Sequence, residues 1–311
     1  MIFWHSMESI ISIMIMISIG YGLIAKQWFD DSTGKLFARV VSCIALPAYM
    51  VWNLLGNFDQ EKLLSFGNGL LVPVLSMACC YIIGYGVSVI LKVGPGRKGT
   101  FQSMFFVSNS VFIGLPINLA LFGQDSLPYV LLYYIANTTL FWTVGVHGIS
   151  TDGSAAGKKL FSRDTLRQIF SPPLIGFAVA IILILLGVQL PDFIMETCKY
   201  FGGMTTPLSM LFIGIALHDV KFHEIRLSKD MLAIVIGRFI VSPLTIWLIA
   251  TLIPIPLLMK KVFIIQAAMP VMTQTSIVAK YYETDYRYAA VMTATTTVLV
   301  MLVIPVYMLF L

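Results

Sequence analysis

Apolar residues run almost without relief along this chain, and short polar stretches cut them into lengths of about 20 residues. Ten such runs predict membrane-spanning helices, at approximately 6–25, 36–55, 67–91, 101–121, 128–149, 170–188, 201–217, 231–253, 261–279 and 288–310. The longest polar connection, about 150–169, is too short to hold a soluble domain. No Lys or Arg precedes the first run and no small-residue cleavage pattern follows it, so it reads as a retained helix rather than a signal peptide.

Two of the runs break the pattern. Residues 105–122 read FFVSNSVFIGLPINLALF, placing Ser108, Asn109 and Ser110 together, with Gly114 and Pro116 behind them. The ninth run carries AAMPVMTQTS, in which Pro270 is followed by Thr273, Gln274, Thr275 and Ser276. In hydrocarbon each unsatisfied polar group costs several kcal/mol, and proline removes a backbone donor from a helix. Irregular backbone at membrane depth survives only where protein or a water-filled cavity surrounds it. Helices 4 and 9 are therefore predicted to be broken, with half-helix ends aimed at a common space.

The breaks fall at a repeat. Pro47 in IALPAYMVW corresponds to Pro207 in MTTPLSMLF, 160 positions on. Asn109 lies 161 positions before Pro270, and IANTT at 135–139 lies 158 before TATTT at 293–297. These matches imply a duplication: residues 1–150 form a first five-helix repeat, 151–169 a short cytoplasmic loop, and 170–311 a second five-helix repeat. An odd number of crossings per repeat inverts the second copy. Inverted repeats with discontinuous helices meeting near the midplane are the architecture of secondary transporters.

Composition agrees with the membrane reading. Of 311 residues, 58% are hydrophobic and 11% charged, where a soluble domain carries about 25% charge. With the N-terminus outside, the inner connections hold fifteen Lys and Arg residues and the outer ones only Lys62, Lys199, Lys260 and Lys261. That bias sets both termini outside and accounts for the net charge of +5 without nucleic acid. The expected location is the plasma (inner) membrane. The four cysteines have no metal-ligand spacing, and Cys79–Cys80 reads as a pair of small packing residues.

Asn109 leads the candidate site, because its amide can donate two hydrogen bonds to a carboxylate; it could equally cap a broken half-helix. Ser108 and Ser110 stand beside it, and Thr273, Gln274 and Thr275 offer donors where the second half of helix 9 begins. Asn137 and Thr138 on helix 5, with Thr295 and Thr296 on helix 10, either face this space or bond their own backbone or a neighbouring helix. Arg238 is the one charge well inside a predicted span. It either snorkels to the inner surface or meets an anionic substrate.

At these residues the chain resembles the auxin efflux carrier family in its bacterial form, over essentially its whole length. The resemblance rests on Asn109-Ser-Val-Phe112-Ile-Gly114-Leu-Pro116 in helix 4, AAMPVMTQTSIVAKYYETD in and after helix 9, and the Leu-Pro of VVSCIALPAYMVW in helix 2. It relates the chain to plant PIN auxin exporters and the bile acid–sodium symporters. It implies a scaffold of helices 1, 2, 6 and 7, through which a homodimer forms, and a transport domain of helices 3–5 and 8–10. Substrate would bind at the 4/9 crossover, lined also by Gly114, Pro116 and Pro270, and move in an elevator-like step. Family substrates are small organic anions, auxin-like aromatic acids or short mono- and dicarboxylates. The plant-type cytoplasmic loop is absent. Thr273-Gln274-Thr275 stands where sodium-coupled relatives carry a Glu, and helix 3 holds no acid, so coupling through a buried carboxylate is not expected.

The sequence therefore reads as an all-α polytopic secondary transporter of ten helices, with the bilayer, an organic anion and a second copy of the chain as partners, and without cofactor or metal. A sodium-coupled symporter of the bile-acid type and a channel or receptor remain alternatives. An intramembrane enzyme would need paired acids within helices or an HExxH motif, and the sequence has neither.

Overall fold

A computed structural model of the chain describes residues 2–57, 67–153, 172–218 and 228–311. Regular structure in these residues is helical. Helix α1 covers Ile2–Ala25, and α2 (Asp31–Val40) runs through a π-helical turn at Val41–Ala45 into α3 (Leu46–Asn57). Helix α4 covers Leu71–Ile90, α5 Lys98–Phe106 and α6 Gly114–Phe122. Helix α7 (Leu127–Leu140) continues through π-helical Phe141–Gly145 into α8 (Val146–Asp152). Then come α9 (Pro172–Leu185), α10 (Asp192–Gly203) and α11 (Thr205–His218). Helix α12 (Lys229–Ile236) passes through π-helical Gly237–Val241 into α13 (Ser242–Leu252). The last three are α14 (Leu257–Ala267), α15 (Gln274–Tyr281) and α16 (Tyr286–Phe310).

Six continuous helices among these residues are long and apolar enough to cross a membrane: Ser32–Asn57, Leu71–Ile90, Gln124–Asp152, Asp192–His218, Lys229–Leu252 and Tyr286–Phe310. Apolar side chains stay exposed along such helices, Ile82 at 69% and Leu252 at 82%, as lipid contact requires. The seventh run starts earlier than its hydropathy predicts, at Asp192 instead of 201. Asp192 in the first turn complements the helix dipole, and a hydropathy window does not register that term. Prolines within apolar runs do not always break them. Pro47 and Pro243 each follow a π-helical turn, which absorbs the displaced hydrogen bonding and lets the helix continue. Of the connection expected at 150–169, the part from 154 lies outside the described residues, as do Lys62, Lys221 and Arg226.

The chain divides into two compact units. Unit 1 comprises 1–68, 115–128 and 170–219. Within it α1 and α11 pack closely, with Gly20 against the Leu211 backbone and Gly214 against that of Ile17, where side chains would hold the helices apart. Tyr49 and Asn53 of α3 both donate to Gln124 Oε1, Asn53 Nδ2 at 2.8 Å. Unit 2 comprises 69–114, 129–169 and 220–311. It holds both ends of the break after α5 and of the break between α14 and α15.

Candidate functional site

Both expected interruptions exist. Helix α5 ends at Phe106 and α6 begins at Gly114, while α14 ends at Ala267 and α15 begins at Gln274. The first break lies ahead of Pro116. That proline is the third residue of α6, where a missing N–H costs nothing, and it falls in unit 1. Pro270, by contrast, sits inside the second break.

The two breaks meet within unit 2. Ser108 and Val271 form an antiparallel β-bridge, and Asn109 N–H donates to Pro270 O at 2.8 Å. A bridge of this size leaves most of the freed backbone groups without ladder partners, so side chains supply them. Asn137 of α7 embraces Ser108: its Oδ1 accepts the Ser108 N–H at 2.9 Å, and its Nδ2 donates to Ser108 O at 2.8 Å and to Ser110 Oγ at 3.3 Å. On the other strand, Thr296 Oγ1 of α16 accepts the Val271 N–H at 3.1 Å while donating to Met292 O. Asn137 and Thr296 thus serve the same purpose on opposite sides of the bridge: each holds backbone of a neighbouring segment.

The side chains expected to bind substrate come together here. Asn109 Nδ2 donates to Thr273 Oγ1 at 2.9 Å, and Ser276 Oγ donates to Thr273 O. Ser108, Asn109 and Ser110 are buried, whereas Thr273 and Gln274 are half-buried at the start of α15. Thr275 Oγ1 and Thr138 Oγ1 are buried without a hydrogen-bond partner among the described residues. The peptide N–H groups opening α15 carry the positive end of its dipole. The site offers donors and partial positive charge, the chemistry an anion needs.

Arg238 takes a position that spacing did not predict. It is fully buried in the π-helical turn, so it does not snorkel. Its Nε donates to Met269 O at 3.1 Å, Nη2 to Ala267 O at 2.6 Å and Met269 O at 3.0 Å, and Nη1 to Phe105 O at 3.4 Å. The Phe105 and Ala267 carbonyls lie at the C-terminal ends of α5 and α14, the negative ends of both dipoles, and Met269 lies two residues beyond α14 in the second break. Gly237 makes the approach possible, because a Cβ there would overlap the Phe105 ring.

Gln266 escaped the sequence reading. Its signal was a lone amide in the apolar run before Pro270. It is wholly buried, Nε2 reaches Ser110 O at 3.2 Å, and Oε1 has no partner among the described residues. Its carboxamide lies against Gly114, where a Cβ would overlap it, so the glycine gives the first break room to pass. Among the described residues no group of three or more His, Cys, Asp or Glu side chains is placed to hold a metal.

The chain matches the family model described as membrane transport protein over residues 5–308. It is 26% identical over 308 residues to a transporter of Methanocaldococcus jannaschii, with 97% of each chain covered. It is 25% identical over 316 residues to one of Methanothermobacter thermautotrophicus, with 99% of each covered. Both relatives bear the name uncharacterized transporter.

Proposed function

The chain belongs to the membrane transport protein family of auxin efflux carriers, and on that footing we propose that it is a secondary transporter of small organic anions. It is a transporter and not an enzyme. Substrate binds where the breaks of helices 4 and 9 cross, a carboxylate taking hydrogen bonds from Asn109, Thr273 and the opening turn of α15. Gln274 and Thr275 line the same face, and Asn137, Ser108 and Ser110 hold the first break in shape. One observation carries this reading: the two interrupted helices pair through Asn109 N–H and Pro270 O, with the Asn109 and Thr273 side chains joined beside that bond.

The finer architecture follows from the same proposal. Ten spans form two inverted five-helix repeats, for which breaks in the fourth and ninth runs are the support. Elevator-type alternating access is supported by the units. The first, second, sixth and seventh runs fall in one of them, and the crossing breaks belong to the other. A homodimer forms through the first of these, with both termini outside.

The test is a thermal-stability screen of the purified protein against indole acetate, malate, malonate, lactate and citrate, with neutral solutes as controls. A ligand at about 100 times its dissociation constant adds roughly 2.7 kcal/mol to a reversible unfolding equilibrium. A shift with at least one acid, lost in Asn109→Ala, is expected. A shift with neutral solutes alone overturns the organic-anion reading, and an acid shift that survives in Asn109→Ala moves the site away from the crossover.

A further inference from the structure

Resting on the organic-anion reading above, we propose that Arg238 makes the crossover select anions without touching them. It acts as a fixed charge, without a carboxylate partner among the described residues, that offsets the two negative half-helix ends.

Arginine stays protonated in proteins. Arg238 is 0% exposed, so its charge is not screened by water. Its backbone acceptors are the carbonyls of Phe105, Ala267 and Met269, the buried Tyr133 hydroxyl lies in hydrogen-bonding contact with it, and no carboxylate lies within ion-pair distance of it among the described residues. Each of α5 and α14 presents roughly half a negative charge at its C-terminal end. One guanidinium spread over both ends offsets about one full charge. The positive opening of α15 is then left without a counterweight from the same helix pair.

The position is also close to the site without being in it. Met269, which accepts two of the Arg238 hydrogen bonds, precedes Pro270, whose carbonyl receives the Asn109 N–H. The guanidinium is therefore one peptide away from the bond that joins the breaks. Two features of the local sequence serve this placement. Gly237 admits the helix to the Phe105 ring, and the π-helical turn leaves the Phe239 carbonyl to accept from Tyr307 Oη at 2.6 Å. Capping of the carbonyls by itself requires hydrogen-bond donors and no net charge. A charge there adds a long-range preference for the ionised form of a substrate.

The experiment separates charge from capping. Binding of malate, malonate, lactate, citrate and indole acetate is compared with that of their neutral amides in wild type, Arg238→Gln and Arg238→Lys. Arg238→Gln keeps a donor and removes the charge, whereas Arg238→Lys keeps the charge and loses the planar fork. Wild type is expected to favour the best acid over its amide by at least tenfold. Arg238→Gln should lower that ratio about tenfold with amide binding little changed, while Arg238→Lys retains it despite a lower melting temperature. A ratio unchanged in Arg238→Gln overturns the proposal. If Arg238→Gln yields no folded protein, Arg238→Lys decides alone: a ratio that collapses with the charge still present overturns it, and a preserved ratio supports it. A wild type that binds amides as well as acids sinks the organic-anion reading itself.

Discussion

Asn109 and Thr273, 164 positions apart in sequence, share a hydrogen bond of 2.9 Å from Nδ2 to Oγ1. One ends the bridge of the first break, and the other is the N-cap residue of the half-helix that follows the second. The bond ties the two breaks together through a buried amide and a hydroxyl that is only partly enclosed, since Thr273 is half-buried. An incoming carboxylate can compete for both.

Replacing Asn109 by Ala should therefore cost function far more than stability. A single hydrogen bond between membrane helices is worth on average about 0.6 kcal/mol, so the folded protein should survive. Saturable uptake into proteoliposomes should fall to below about a tenth of wild type, the loss expected when donors for a buried carboxylate are removed. Thr273→Val, which deletes the hydroxyl at nearly constant volume, should weaken apparent affinity with a smaller effect on maximal rate. Wild-type kinetics in Asn109→Ala would sink the crossover site.

Asn137 has the opposite profile. Its amide satisfies both the N–H and the C=O of Ser108 in a fully buried place. Asn137→Ala strands the Ser108 N–H, at roughly 1–3 kcal/mol, and leaves the Ser108 carbonyl with the Ser110 N–H as its remaining donor. Thr296→Val strands only the Val271 N–H. Reversible unfolding in detergent should rank Asn137→Ala as the more destabilised by at least about 1 kcal/mol. Equal losses would mean that Asn137 is not what holds the first break in its extended form.

Gly114 and Gln266 should be coupled. A Cβ at 114 overlaps the Gln266 carboxamide, so Gly114→Ala is expected to cost about 1–3 kcal/mol through overpacking. Gln266→Ala leaves the buried Ser110 carbonyl without its donor and costs a similar amount. The double variant removes the clash along with the amide, so its loss should fall short of the sum by about 1 kcal/mol. Additivity within about 0.5 kcal/mol would show that the two residues do not meet.

The membrane class and the two interruptions were legible in the sequence because their signals are local: an apolar run of sufficient length, or amides, hydroxyls, Gly and Pro inside one. Even so, proline alone was an uneven guide. Pro270 lies in a break, Pro116 lies in the first turn after one, and Pro47 follows a π-helical turn in a helix that never stops. What decides between these outcomes is which carbonyls lose their donor and who replaces it, and the replacements come from distant segments. Asn137 and Arg238 are instances: the partners of Asn137 lie 27–135 positions away, and those of Arg238 lie 29–133 away. Spacing shows that such groups are buried, and only the fold shows what they are buried against. Gln266 was overlooked for the same reason, since its partner Ser110 lies on the other broken helix, 156 positions earlier.

At the N-terminus of α16, Asp285 does two things at once. One carboxylate oxygen accepts the Tyr288 N–H at 3.0 Å, capping the helix, and the other takes the Arg97 guanidinium, which also stacks over the Tyr288 ring at 4.6 Å. The ion pair is partly exposed, with side-chain exposures of 40% and 30%, so water and salt screen it and its worth is about 0.2–1 kcal/mol. The cap is worth about 1 kcal/mol and asparagine can supply it as well as aspartate. Asp285→Asn should thus lose only the pair, and Asp285→Ala should lose about 1 kcal/mol more. In 1 M salt the Asn deficit should shrink towards zero while the gap between Asn and Ala persists, because screening acts on the charge and leaves the cap alone. If Asn proves as costly as Ala at both salt concentrations, the cap contributes nothing and the Arg97 contact accounts for the whole of the aspartate's role.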